Sequence, residues 1–166
     1  METTLCTNML KFIFNFNTNL KFTSIFSILC IMSSVGIQYI LNETPCLLCL
    51  LTRICFVIVT ITCFCTMKYQ HIKWIQSLPL LMLSVLFFLS FYHLGIENHW
   101  WVAPESCKMK LPTLDNLGAQ NLVNDRPPCD TVGFQIFGIS MTLFSFVISG
   151  ALTWLHSIAF VLRKFS

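Results

Sequence analysis

Four stretches of apolar residues, separated by shorter polar segments, dominate this chain. They cover about residues 22–41, 49–67, 75–94 and 132–154. Each is long enough for a helix that crosses the hydrocarbon core of a bilayer, which takes roughly 20 residues. Backbone groups surrounded by lipid must pair within their own segment, so helices are expected. The pattern predicts an all-α membrane protein, a four-transmembrane-helix bundle that forms a single domain over residues 1–166.

Charged residues interrupt these stretches rarely and are distributed unevenly between the two sides of the predicted bundle. Six basic residues fall on one side: Lys11, Lys21, Lys68, Lys73, Arg163 and Lys164. Nearly all the acidic residues fall on the other side: Glu43, Glu97, Glu105, Asp115, Asp125 and Asp130. By the positive-inside rule, both termini are expected in the cytoplasm. The link at 42–48 and the long loop at 95–131 are then expected outside.

The overall composition supports a membrane environment. Hydrophobic residues make up 55% of the chain and charged residues only 10%, which departs strongly from the balance of a soluble domain. The net charge of +3 arises from the side predicted to be cytoplasmic. We therefore interpret it as an orientation signal, expect membrane lipid as a partner, and see no reason to expect nucleic-acid binding.

A Cys-x-x-Cys pair lies where the second apolar stretch begins. Cys46 and Cys49 are three residues apart, so on a helix they share a face, and Arg53 follows on the same stripe one turn later. The positive end of a helix dipole favours a thiolate. We therefore expect Cys46 to be the more reactive cysteine, with a fixed cation facing both sulfurs.

The nine cysteines of the chain divide by compartment. Four are expected on the outer face: Cys46, Cys49, Cys107 and Cys129. Disulfides persist in an oxidising outer compartment, and the pair at 107 and 129, which are 22 positions apart, can close a disulfide across the long loop. Taken alone, that pair would more often be structural than catalytic. Four others are expected to pack as small hydrophobes in the spans: Cys30, Cys55, Cys63 and Cys65.

Three groups of residues, considered together, resemble a known family. They are Pro45-Cys46-Leu47-Leu48-Cys49 with Arg53, then Tyr92-His93 and Gly95-Ile96-Glu97 through Trp101 to Cys107, and finally Pro128-Cys129-Asp130. In this combination the chain resembles the DsbB family, membrane oxidases that regenerate the periplasmic disulfide donor DsbA. The short loop is similar to that of members common in alphaproteobacteria. Thr52 is a departure, since an amide or acid often precedes the arginine.

The resemblance implies an enzyme of the bacterial inner membrane, with its active site facing the periplasm and a DsbA-like thioredoxin-fold protein as its partner. The partner's thiolate would attack Cys107 of a Cys107/Cys129 disulfide. The released Cys129 would then attack Cys46 of a Cys46/Cys49 disulfide.

The resemblance also implies a quinone as the final electron acceptor, with ubiquinone favoured over menaquinone. Physical chemistry requires some acceptor, because a dithiol oxidase stops after one turnover unless it is re-oxidised. Arg53 is expected to stabilise the Cys49 thiolate and the reduced quinone; an interfacial anchor that reaches lipid phosphate is the alternative. His93, near the outer end of the third stretch, is expected to reach a quinone carbonyl and supply a proton; a simple interfacial histidine is the alternative.

Three other interpretations were compared with this one. A vitamin K epoxide reductase-like enzyme would carry its loop cysteines before the Cys-x-x-Cys, and here the order is reversed. A non-enzymatic membrane scaffold with two stapling disulfides would show no dependence on quinone. A metal site formed by the four outer cysteines is disfavoured by the oxidising compartment and by the absence of a second paired motif, so no metal is expected.

Overall fold

The structure is a computed structural model that describes residues 15–41, 44–107, 127–131, 135–136 and 138–165. Its four long helices are α1 (Phe16–Leu41), α2 (Leu47–Lys68), α3 (Lys73–Glu97) and α4 (Met141–Phe165). A 3-10 turn at Glu105–Cys107 and a short antiparallel hairpin of β1 (Gln135–Ile136) and β2 (Ile139–Ser140) lie between α3 and α4. All four helices are long and apolar enough to cross a membrane. The predicted all-α, four-span bundle is confirmed.

Several predicted helix ends are wrong. The first helix begins at Phe16 instead of residue 22, because its extra turns pack inward: Asn19 Oδ1 lies 2.9 Å from Nδ1 of the buried His156 on α4. The third helix continues to Glu97, beyond the predicted end at 94. The fourth helix begins at Met141 instead of 132. It runs to Phe165, beyond residue 154 and close to the extension toward Leu162 that the sequence allows. The hairpin precedes it, and Gly138 supplies the positive φ of 78° that its turn requires.

The helices form a closed ring in which each packs against two neighbours. Helix α1 contacts α2 and α4, and α3 contacts the same two helices. The core within this ring contains eight buried apolar residues: Phe16, Leu20, Phe56, Val59, Cys63, Leu83, Leu86 and Leu152. Cys30 and Cys55 pack against this core, whereas Cys65 is exposed. Cys6 lies outside the described residues.

A proline inside α3 is accommodated by a polar contact between helices. Pro79 has no N–H, so the carbonyl of Ile75, four residues earlier, loses its helical partner. The hydroxyl of Thr66 on α2 lies 2.9 Å from that carbonyl oxygen and can donate to it. Because a buried carbonyl without a partner is costly, this contact fixes α2 against α3.

The outer surface of the ring is strongly apolar. Large side chains such as Met32, Phe88 and Trp154 are each more than 60% exposed. Exposed apolar surface of this extent marks an interaction surface rather than a surface suited to water. On four helices of spanning length, the partner that covers it is lipid, and the chain is a multi-pass membrane protein.

Candidate functional site

The Cys-x-x-Cys pair caps the N-terminus of α2. Cys46 is the N-cap residue, with φ −65° and ψ 167°, and its sulfur accepts a hydrogen bond from the Cys49 amide at 3.3 Å. The sulfurs of Cys46 and Cys49 are 3.0 Å apart. A helix start leaves amide groups without intrahelical partners, and here a cysteine sulfur satisfies one of them. The pair is thereby oriented by the helix itself.

Hydrogen bonding within the pair alters the expected reactivity. In the dithiol, the Cys46 thiol donates to the Cys49 sulfur. That bond, together with burial, raises the pKa of Cys46 to about 12. The expectation that Cys46 is the more easily ionised cysteine is therefore wrong for the reduced pair. The pair instead keeps its proton on Cys46, and the Cys49 sulfur receives the hydrogen bond and is within electrostatic reach of Arg53.

His93 meets this pair from the last turns of α3. It is 5% exposed, and its Nε2 lies 3.6 Å from the Cys46 sulfur. The side chain also lies on the wall of the cavity described below. The structure thus brings His93 into contact with the dithiol at the wall of the same cavity, and its contact with Cys46 was not predicted from the sequence.

The second pair lies directly beside the first. Cys107 and Cys129 are 4% and 1% exposed, their side chains are within hydrogen-bonding distance, and the Cys129 amide donates to the Cys107 carbonyl at 3.0 Å. The Cys129 sulfur also interacts with the Cys46 sulfur and accepts a hydrogen bond from the Leu48 amide. Burial raises the pKa of Cys129 above its ordinary value. All four predicted catalytic cysteines therefore belong to one cluster.

A tryptophan clamp holds the segment that carries Cys107. The indole of Trp101 stacks on the Tyr92 ring, with centroids 5.9 Å apart and planes at 10°, and its N–H donates to the Tyr92 carbonyl at 3.0 Å. It lies so close to α3 that a Cβ on Gly95 would be only 2.0 Å from the indole. Sequence analysis did not predict this contact. The signal that could have revealed it is a glycine in the last turn of a helix, six residues before a tryptophan.

Arg53 binds the first helix. Its Nε donates to the Ser34 hydroxyl at 2.7 Å, one terminal nitrogen donates to the Ser34 carbonyl at 3.1 Å, and the other donates to the Gln38 side-chain oxygen. Ser34 and Gln38 were not predicted from the sequence. They are four residues apart, and therefore on one face of an otherwise apolar helix, which is the pattern that could have identified them.

A cavity of about 540 Å³ adjoins both Arg53 and the dithiol. It lies among α1, the start of α2 and the start of α4, and its wall includes Cys46, Cys49, Arg53, His93 and Gln38. Most of its remaining lining is apolar, with side chains such as Phe26, Leu29, Ile37, Phe56, Phe144 and Ile148. A pocket of this size whose lining is mainly apolar, with polar side chains among it, is suited to a small, largely hydrophobic molecule.

The fold and the site together define a class of membrane protein with a redox-capable dithiol that is adjacent both to a second cysteine pair and to an apolar cavity. A profile of the family described as disulfide bond formation protein DsbB matches residues 18–159. This match covers most of the chain, including α2 and α3, most of α1 and α4, and all four clustered cysteines, and the protein belongs to that family. Family membership implies a membrane disulfide oxidoreductase. Comparisons with curated proteins and with solved structures gave no match.

Proposed function

We propose that this protein re-oxidises a DsbA-like thioredoxin-fold protein in the periplasm and passes the electrons to a membrane quinone. The observation that carries the proposal is the position of the Cys129 sulfur, which interacts with both Cys107 and Cys46. The Cys46 sulfur is in turn 3.0 Å from the Cys49 sulfur, and Cys49 lies on the cavity wall, so pairwise interactions connect all four cysteines. A scaffold with two independent staples would need no such contact between the pairs.

The proposed exchange begins at the loop pair in its disulfide form. A partner thiolate attacks Cys107, which forms a mixed disulfide and releases Cys129 as a thiolate. Cys129 then attacks Cys46 and breaks the Cys46–Cys49 bond, so the electron pair moves to Cys49. The second partner thiol resolves the mixed disulfide and leaves as part of the partner's new disulfide. One partner dithiol is oxidised and two electrons enter the chain.

A second exchange then breaks the bond between Cys129 and Cys46 and restores the disulfide of the loop pair. Cys107 attacks Cys129, re-forms the loop disulfide and releases Cys46. His93 Nε2, 3.6 Å from the Cys46 sulfur, is placed to exchange a proton with it. The product is the reduced Cys46–Cys49 pair, in which the Cys46 thiol donates to Cys49.

The cavity has the properties that a quinone site requires. It is mainly apolar, adjoins Cys49, and has one cation and one amide, Arg53 and Gln38, in its lining. A quinone bound there would accept two electrons and two protons, and ubiquinone is the proposed form. Arg53 is held by Ser34 and Gln38, so its charge is preorganised beside the place where negative charge develops. In a site of low dielectric, that placement favours the Cys49 thiolate over the thiol.

The site is proposed to face the periplasm, with the protein in the bacterial inner membrane and both termini in the cytoplasm. The distribution of Lys and Arg described above supports this orientation. The oxidising character of the periplasm supports it as well, because two cysteine pairs that cycle through disulfides need such a compartment.

The direct test uses purified protein, a reduced DsbA-like partner and a soluble ubiquinone analogue, with quinone reduction and partner thiols measured together. We expect one quinone to be reduced for each partner disulfide formed. Cys49→Ser should abolish the reaction, whereas Cys65→Ser, at an exposed position on the same helix, should retain it. Partner oxidation without quinone reduction, or full activity of Cys49→Ser, would contradict the proposal.

A further inference from the structure

Three potential metal ligands meet at the reduced dithiol, and they are not the set of four cysteines considered from the sequence. The sulfurs of Cys46 and Cys49 and a ring nitrogen of His93 all lie within 4.8 Å of one another. Two of the three separations are shorter: 3.0 Å between the sulfurs and 3.6 Å between the Cys46 sulfur and His93 Nε2. Cys46 and His93 are buried and Cys49 is partly buried.

These separations approach those of a tetrahedral zinc site. With Zn–S bonds of about 2.3 Å and Zn–N bonds of about 2.0–2.1 Å, tetrahedral angles place two sulfurs about 3.8 Å apart and a sulfur and a nitrogen about 3.6 Å apart. The observed sulfur separation differs from that value by less than about 1 Å, and the observed sulfur–nitrogen separation agrees with it. Small side-chain movements would therefore suffice to form the three bonds.

The donor atoms and the adjoining cavity also favour zinc. Two thiolates and one imidazole form a donor set that zinc accepts. All three residues also line the cavity, so a fourth coordination position can be filled by water from that side. Cys49 belongs to α2, Cys46 caps that helix, and His93 belongs to α3, so the fold already holds all three ligands close together.

We propose that the reduced form of the protein binds one Zn²⁺ through Cys46, Cys49 and His93. Binding forms two Zn–S bonds and one Zn–N bond and releases the two thiol protons, without any transfer of electrons. The oxidised form cannot bind in this way, because its two sulfurs are joined to each other. Zinc would thus act as a reversible inhibitor that holds the dithiol reduced and keeps both sulfurs from re-oxidation.

The test is a binding measurement that requires neither quinone nor partner, so its outcome is independent of the proposed function. The protein carries Cys107→Ser and Cys129→Ser, so that the Cys46–Cys49 pair is the only redox pair of the site. It is compared after reduction by a phosphine and after oxidation, with zinc measured by competition against a chromophoric chelator. We expect one additional zinc per reduced protein, and none after oxidation. Co²⁺ should give a thiolate-to-metal charge-transfer band only with the reduced form.

Three further variants in the same background test the ligand set. Cys46→Ser should remove the site. Loss of an outer partner of a metal ligand costs about 10–100-fold in affinity, so His93→Ala, which removes a ligand itself, should weaken binding at least tenfold. His71→Ala, at an exposed position in the link between α2 and α3, should bind as tightly as the parent.

Two results would overturn the proposal: equal zinc binding by the reduced and oxidised proteins, or unchanged affinity of His93→Ala. Thermal unfolding without metal checks that each variant is folded. If His93→Ala is not folded, His93→Gln, with a neutral side chain of similar length, replaces it in the same comparison.

Discussion

A single methyl group added at Gly95 would test how the loop is held against the bundle. In Gly95→Ala, the new Cβ would lie 2.0 Å from Cζ2 of Trp101 and 2.3 Å from its Cε2. Carbon atoms in contact are normally about 3.5–4.0 Å apart, so the indole must move by about 1.5 Å. That movement breaks the hydrogen bond to the Tyr92 carbonyl and disturbs the stacking on the Tyr92 ring.

The expected cost follows from these two contacts. A neutral hydrogen bond contributes about 0.5–1.5 kcal/mol, and an aromatic pair contributes a similar amount beyond its buried area. The helix propensity of alanine over glycine recovers up to about 1 kcal/mol. We expect a net loss of about 1–2 kcal/mol in the free energy of unfolding, together with a lower kcat/KM for the reduced partner, because the displaced segment carries Cys107.

Thermal unfolding in detergent and partner-dependent quinone reduction would measure both effects. Gly36→Ala is the matched control: it lies within α1, no atom of another helix lies within 4 Å of its Cβ position, and it should be neutral or slightly stabilising. In a Trp101→Leu background the clashing ring is absent, so Gly95→Ala should cost much less there. Wild-type stability and activity of Gly95→Ala, or equal costs in both backgrounds, would refute the argument.

Three further predictions concern the sulfurs and their cation. Arg53→Met should raise the apparent KM for quinone about 10-fold to 100-fold, since a charge-assisted contact contributes roughly 1.5–3 kcal/mol. Arg53→Lys should recover part of this loss, because the charge remains. Unchanged kinetics of the Met variant would mean that Arg53 is only an interfacial anchor. Cys129→Ser should accumulate a mixed disulfide between the partner and Cys107, visible on a non-reducing gel, and normal turnover would contradict the relay. Because the pKa of Cys46 is raised to about 12, its alkylation in the reduced protein should accelerate about tenfold per pH unit between pH 8 and about 11, whereas a plateau near pH 9 would contradict the raised pKa.

The number and type of the helices could be predicted because each apolar stretch alone nearly spans a bilayer. The start of α4 could not be predicted, since the apolar residues from 132 to 140 include those of a short hairpin, and hydropathy does not separate a strand from a helix start. The early beginning of α1 was missed for the opposite reason. Its first turns contain Asn17, Asn19 and Lys21, which look like a polar tail, although Asn19 is 3% exposed and hydrogen-bonds across to His156.

The residue types of the site could be predicted, but several of their contacts could not. Cys46, Cys49 and Arg53 are spaced by three and four residues, so the helix repeat alone predicts that they share one face. The partners of Arg53 on α1, and the contact of His93 with Cys46, join residues that are between 15 and 47 positions apart in the chain, and no local pattern encodes them. The reactivity of Cys46 was misjudged because a helix dipole contributes only about 0.3–1 kcal/mol, less than the burial and the hydrogen bond to Cys49.

The first turn of α2 connects the two cysteine pairs. The Leu48 amide donates to the Cys129 sulfur and the Cys49 amide donates to the Cys46 sulfur, so two of the amides left unpaired at this helix start point at one sulfur from each pair. In the proposed relay, negative charge passes from Cys129 to Cys49 through the bond that forms at Cys46. The backbone amides of Leu48 and Cys49 stabilise the charge on the Cys129 and Cys46 sulfurs. Arg53 stabilises it on Cys49. All three of these groups belong to α2. The exchange can therefore proceed without moving a charge away from its stabilising groups, as long as the second pair stays beside the start of α2.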